Sequence, residues 1–137
     1  TGPFSASASD TRRAVLAAGP RVQLREGIPS LRELMAQADL AISAAGQTLY
    51  ELASMGTPTV AIEVFDNQAP GLSALAEAGV VIRAGRVDEP GYVRAVTDCV
   101  AKLTVDAEAR RRLSETARAC VDGRGADRVA DALLECA

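Results

Sequence analysis

Three short apolar runs, Leu40–Ser43, Thr59–Phe65 and Val80–Ile82, alternate with segments of helical periodicity, and that alternation restricts the fold more than any other feature of the sequence. The first run is too brief for a helix and suits a buried parallel strand. The second, Thr-Val-Ala-Ile-Glu-Val-Phe, is the clearest strand, being rich in β-branched residues. Strands that alternate with helices imply a parallel sheet joined by right-handed crossovers. The expected fold class is therefore α/β, a Rossmann-like parallel sheet flanked by helices, followed by a helical carboxyl-terminal region.

Around this frame the local signals are as follows. Thr1 to Asp10 reads as a polar loop, and Thr11 to Ala18 as a short helix stopped at Gly19-Pro20. Val22-Gln23-Leu24 reads as a brief strand closed by Gly27. Ser30 and Glu33 have capping-box spacing, ahead of a helix whose apolar stripe is Leu31, Leu34, Met35 and Ala38. A helix from about Gln47 to Met55 ends at Gly56, placed for left-handed termination, and Thr57-Pro58 turns the chain. The next helix, Gln68 to Ala78, stops at Gly79. Beyond Ile82 the pattern is helical. Val93, Val96, Val100 and Leu103 share a face, as do Leu113, Ala117, Cys120 and Val121. Val129, Leu133 and Cys136 mark a last helix after the Gly123/Gly125 break.

Composition removes several classes of function. The 137 residues amount to one domain, read as a single unit over 1–137, and 48% hydrophobic with 24% charged residues is ordinary for a globular protein. A net charge of −3 and 3% aromatics supply neither the basic stripe nor the stacking platform of a nucleic-acid binder. No apolar run reaches the ~20 residues of a membrane helix, and the amino terminus carries no secretory pattern. Cys99, Cys120 and Cys136 are odd in number and far apart, and read as buried or half-buried thiols of a reducing cytoplasm. The chain has no histidine, so it cannot assemble a Ser-His-Asp or Cys-His arrangement, and it lacks the commonest zinc and iron ligand. No metal site and no cofactor are expected. Acid–base work would fall to a carboxylate, a lysine or a tyrosine, or to groups from elsewhere.

The turn after the first strand carries the chemistry. Ala44-Ala45-Gly46-Gln47-Thr48 leads straight into a helix, and small residues there let backbone approach a ligand closely. The first amides of a helix point outward unpaired, and with the positive end of the dipole they suit a diphosphate. Many strand–glycine–helix turns bind nothing, so this feature alone leaves both readings open. Glu51, one turn into the helix, could hold a ribose, but Thr48-Leu49-Tyr50-Glu51 has the spacing of a capping box, and spacing alone favours that local role. Asp66-Asn67-Gln68 follows the strongest strand and so emerges at the same sheet edge. Its amide side chains suit sugar hydroxyls, or Asp66 or Asn67 caps the next helix. Arg110-Arg111-Arg112, beside Glu108 and Glu115, reads as a solvated face. Tyr50 and Tyr92 read as packing residues.

Taken together, Ala38-Asp39-Leu40-Ala41-Ile42-Ser43-Ala44-Ala45-Gly46-Gln47-Thr48-Leu49-Tyr50-Glu51, then Gly56-Thr57-Pro58, then Asn67-Gln68, resemble the C-terminal domain of GT-B nucleotide-sugar enzymes. Within that group the chain looks most like the UDP-sugar hydrolase of pseudaminic acid biosynthesis and its relatives in spore-coat polysaccharide synthesis. Asp122-Gly123-Arg124-Gly125-Ala126 is similar to that subfamily's closing helix region, and the resemblance runs from about Val22 onward. It implies that Gly46, Gln47 and Thr48 present amides and a hydroxyl to the diphosphate. It also implies that Glu51 holds the ribose, that Asn67 and Gln68 face the sugar, and that Ile28, in the Gly27-Ile28-Pro29 turn, lies near the uracil. The implied ligand is UDP or a UDP-sugar. The implied activity is hydrolysis or transfer of its glycosyl group in surface-polysaccharide or pseudaminic acid-type biosynthesis. Transfer to a lipid or glycan acceptor and a non-catalytic interaction module are the alternatives. Enzymes of this shape close two halves around the donor, and the proposed catalytic histidine comes from the half that this chain does not contain. No catalytic residue is therefore expected here. In the usual 3-2-1-4-5-6 strand order the central strands would be absent, leaving an unpaired edge. The expectation is a rearranged sheet, pairing with another copy or with an amino-terminal domain, or a fragment of a longer protein.

Overall fold

The computed structural model describes residues 8–136. They form two compact units, one ending at Leu31 and one running from Arg32 onward. Residues 1–7 of the expected amino-terminal loop lie outside the described residues. Helix α1 (Ala8–Ala18) already includes Ala8, Ser9 and Asp10, so it starts before Thr11. In the same unit Arg12 pairs with Glu26 at 3.0 Å. Val22-Gln23-Leu24 is not a strand. A strand exists through its ladder partners, and among the described residues no segment pairs with this one.

The second unit runs α2 (Arg32–Gln37), β1 (Ala41–Ala44), α3 (Thr48–Met55), β2 (Thr59–Glu63), a 3-10 turn (Asp66–Gln68), α4 (Ala69–Glu77), β3 (Ile82–Arg86), α5 (Tyr92–Val105), α6 (Ala107–Cys120) and α7 (Gly125–Glu135). The three strands form a parallel sheet in the order β1-β2-β3, so the architecture is α/β and Rossmann-like, with a helical carboxyl-terminal region. β2 is central. Successive side chains of a strand face opposite ways, so Val60 and Ala61, both 0% exposed, feed two separate cores. Ala61 joins Leu49, Ala53, Leu72, Leu75 and Ala117 on one side. Val60 joins Ala84 and Leu103 on the other, with Val96, Val100 and Leu113 packed around them.

β1 is not the strand buried on both faces that its apolar run suggests. Among the described residues it pairs with β2 alone, its burial alternates, and Ile42 is 55% exposed. β3 starts at Ile82 rather than Val80, because Val80 and Val81 are buried just ahead of the ladder.

The helices close in ways local chemistry explains. α3 ends at Gly56 in the left-handed conformation, φ 69°, with Gly56 N–H donating to Ala53 O and Thr57 N–H to Leu52 O. Arg118 of α6 donates to Met55 O at 2.9 Å, satisfying a carbonyl left over at that end. Arg110 likewise donates to the Leu103 and Thr104 carbonyls that end α5, whereas Arg111 does sit in the expected solvated face, on Glu108 and Glu115. Thr57 Oγ1 donates to Met35 O at 2.7 Å and ties α2 to the entry of β2.

Some expected burial is missing. Val93 is 60% exposed at the start of α5, and α7 buries no residue, leaving Val129 and Leu133 in the open. Cys99 is half-buried as expected, but Cys120 and Cys136 are exposed.

Candidate functional site

Because the strands are parallel, their carboxyl ends, Ala44, Glu63 and Arg86, reach one edge of the sheet, where open α/β folds place ligands. The turn after β1 is tight. Ala45 N–H continues the ladder to Ile62 O at 2.9 Å, and Gly46 N–H folds back to Ala44 O at 2.8 Å. Leu49 N–H to Gly46 O and Tyr50 N–H to Gln47 O then start α3. Among the described residues, this leaves the peptide N–H groups of Gln47 and Thr48 without a partner. No side chain caps the helix at Gln47. Gly46 itself contributes open space rather than a free amide: a Cβ built there meets nothing within 4 Å.

The turn borders an open cleft of about 270 Å³. Ala45, Gly46, Gln47, Leu49 and Tyr50 form one wall; Asn67, Gln68, Gly71, Leu72 and Leu75 form the other. Leu49, Leu72 and Leu75 are buried, so the base of the cleft is apolar and its mouth polar.

Of the residues singled out from sequence, Gly46, Gln47, Asn67 and Gln68 line the cleft. Thr48 and Glu51 share the first turn of α3 and are not among the lining residues. Ile28 belongs to the other compact unit and is 37% exposed. The capping alternatives are not realised. Glu51 is exposed, its carboxylate has no partner among the described residues, and no capping box forms with Thr48. Asp66 and Asn67 do not cap α4, whose N-cap is Gln68 without a side-chain bond. Gln68 is only partly available to a ligand. Its Oε1 accepts from Val64 N–H at 2.9 Å and Phe65 N–H at 3.3 Å, which folds the turn onto itself.

Two features escaped the sequence reading. Tyr50 is 46% exposed and lines the cleft instead of packing inside. Opposite it, Gly71 leaves room, since a Cβ there would sit 3.9 Å from the Tyr50 hydroxyl.

The second is an ion network at the same sheet edge. Glu63, 1% exposed, pairs with Arg83 at 2.9 Å through Oε2 and with Arg86 through Oε1. Arg83 and Arg86 are three apart and would face opposite sides of a regular strand. The register explains their convergence: Ala61 opposes Arg83 but Glu63 opposes Arg86, so β3 carries one extra residue in a bulge. Gly85, φ 105°, sits in that bulge. Arg86 also pairs with Asp66 at 2.8 Å and with Asp88 at 2.9 Å. Hydrogen bonds to Asp88, Asp66 and Glu63 hold the Arg86 guanidinium charged, and Arg86 in turn pulls the Asp88 carboxyl below the usual range. The sequence signal was a carboxylate inside the most apolar strand, followed by arginines in the next.

Among the described residues, no group of three His, Cys, Asp or Glu side chains is placed to hold a metal ion. No helix among them is long and apolar enough to cross a membrane. No protein-family model matches the chain, and no curated protein matches it.

Proposed function

We propose that the cleft beside Gly46 binds the diphosphate of UDP or a UDP-sugar, and that the chain is the donor-binding half of an enzyme that hydrolyses or transfers the glycosyl group. The observation that carries this reading is the pair of unpartnered amides at Gln47 and Thr48, where α3 opens beside the cleft. Amides at a helix start meet phosphate oxygens with fixed dipoles that need no rearrangement, so they stabilise a diphosphate leaving group as charge develops on it. Asn67 offers a donor and an acceptor to sugar hydroxyls. Glu51, with its carboxylate free, is available to accept from ribose hydroxyls.

The size of the cleft fits a part of such a ligand. Its volume of about 270 Å³ falls just under the ~300–1,000 Å³ of complete small-molecule sites. It suits the pyrophosphate and an adjoining ring, with the nucleoside crossing the rim near Glu51. Among the described lining residues Tyr50 is the sole titratable side chain, so on this reading the cleft supplies binding rather than proton transfer. Activation of water, or of a lipid or glycan acceptor, falls to another half of the enzyme. Among the described residues no strand pairs with the outer edge of β1, which is suited to a further sheet segment from another domain or a second copy. Free thiols accord with a cytoplasmic setting, and the pseudaminic acid-type or surface-polysaccharide assignment rests on the motif resemblance.

Glu51→Ala separates ribose binding from a local structural role. Removing a hydrogen bond to a charged group is expected to weaken UDP binding about tenfold or more in a calorimetric titration. The unfolding free energy should stay within ~0.5 kcal/mol of wild type, as for an exposed site with no partner to lose. Unchanged affinity with lowered stability would remove Glu51 from the site.

A further inference from the structure

We propose that Arg86 is a positioning residue for the cleft: through Asp66 it fixes the turn that presents Asn67 and Gln68, without touching the ligand itself. The inference rests on the nucleotide-sugar reading for its ligand, but the device is visible in the polar contacts alone.

The turn has little apolar anchorage. Phe65, Asp66 and Asn67 are all exposed, and no residue of the 3-10 segment is buried. Its conformation therefore depends on polar contacts: besides the backbone bond from Gln68 N–H to Phe65 O at 3.0 Å, two side-chain clips hold it. Gln68 Oε1 accepts from the Val64 and Phe65 amides within the turn. The Asp66 carboxylate pairs with Arg86 at 2.8 Å, which ties the turn to the end of β3.

An ion pair with an exposed aspartate usually contributes little, because two long side chains must be ordered to make it. Here one partner is already ordered. Arg86 is held by buried Glu63 and forked onto Asp88 through Nε and NH2, at 2.9 and 3.0 Å. Only the short Asp66 side chain remains to be fixed, so the pair acts as a geometric stop for the turn. The chain of contacts runs from the β3 bulge at Gly85, to Arg86 opposite Glu63, to Asp66, and on to the Asn67 and Gln68 wall. Asn67 and Gln68 then meet a ligand preorganised rather than searching for it.

Asp66→Asn tests this without disturbing the core, because the Asp66 side chain is 93% exposed and Glu63 keeps both arginines. The thermal midpoint is expected to stay within about 2 °C of wild type. Backbone order parameters at Asn67 and Gln68 should fall, and UDP affinity should drop about three- to thirtyfold, the range for residues acting on a site they do not contact. Asp66→Glu keeps the charge and should restore both readouts in part. Wild-type loop order together with wild-type affinity in Asp66→Asn would overturn the proposal. Should the wild-type chain itself fail to bind UDP, the nucleotide reading falls, and unchanged order parameters in Asp66→Asn would then overturn the positioning role on their own.

Discussion

Glu63→Ala is expected to lower the stability of the chain by about 3 kcal/mol, the low end of the usual cost of removing one partner from a buried ion pair. Glu63 is 1% exposed and is the acceptor for both Arg83 and Arg86. Its removal leaves two guanidinium groups facing a space that had held a carboxylate. The cost stays at the low end for two reasons. Arg83 is 40% exposed along its side chain and can be rehydrated, and Arg86 retains Asp66 and Asp88. Urea unfolding should show the loss as a lowered midpoint at constant slope. Glu63→Gln keeps the shape and loses the charge, and should be less damaging than the alanine. A loss below ~1 kcal/mol in Glu63→Ala would mean that the network contributes little beyond ordinary surface pairs.

Gly56→Ala is expected to cost about 2–3 kcal/mol, from two sources that a second substitution can separate. The residue closes α3 at φ 69°, where a side chain costs roughly 1–2 kcal/mol. In addition, a Cβ at Gly56 would lie 2.1 Å from Arg118 Nε and 2.8 Å from its Cδ and Cγ. Arg118 must swing away and give up its bond to Met55 O, worth about 1 kcal/mol. In an Arg118→Ala background that second part is already lost, so the Gly56→Ala penalty should shrink to the backbone cost alone. A penalty unchanged between the two backgrounds would show that the arginine contributes nothing to the closure of α3.

What the sequence makes legible follows from how local each signal is. The strongly β-branched Thr59–Phe65 run and the helix stop at Gly56 are set by adjacent residues. The stop is found where expected, and the strand starts where expected but ends at Glu63, because the Val64 and Phe65 amides turn to the Gln68 side chain. Val22-Gln23-Leu24 has strand-like residues and no partner, and pairing is a property of distant chain. β3 was displaced toward Val80 because burial, rather than the ladder, makes Val80 and Val81 apolar, while the ladder itself runs through Arg83 and Arg86. Their presence in a strand makes sense only with Glu63 beside them. Periodicity located the apolar faces of α5 and α7 but carries no information on what covers them, so Val93, Val129 and Cys136 proved exposed.

The same distinction holds at the cleft. The strand–Gly46–helix turn is a local pattern and was legible, as was the convergence of Asn67 and Gln68 on the same edge. Which amides stay free was not legible. The fold-back of Gly46 N–H onto Ala44 O removes one, and among the described residues the absence of a cap at Gln47 leaves two. Whether Asp66 caps a helix or meets an arginine depended on a bulge in the next strand, between Arg83 and Arg86.

The most direct test of the nucleotide reading is an amide NMR titration of the chain with UDP and, in parallel, with inorganic pyrophosphate. Both ligands are predicted to shift the Gln47 and Thr48 amides in a saturable way at millimolar concentration or below, with UDP also moving Asn67 and Glu51. Gln47 and Thr48 amides unmoved by either ligand at about 10 mM would contradict the assignment and leave the cleft without its proposed anion.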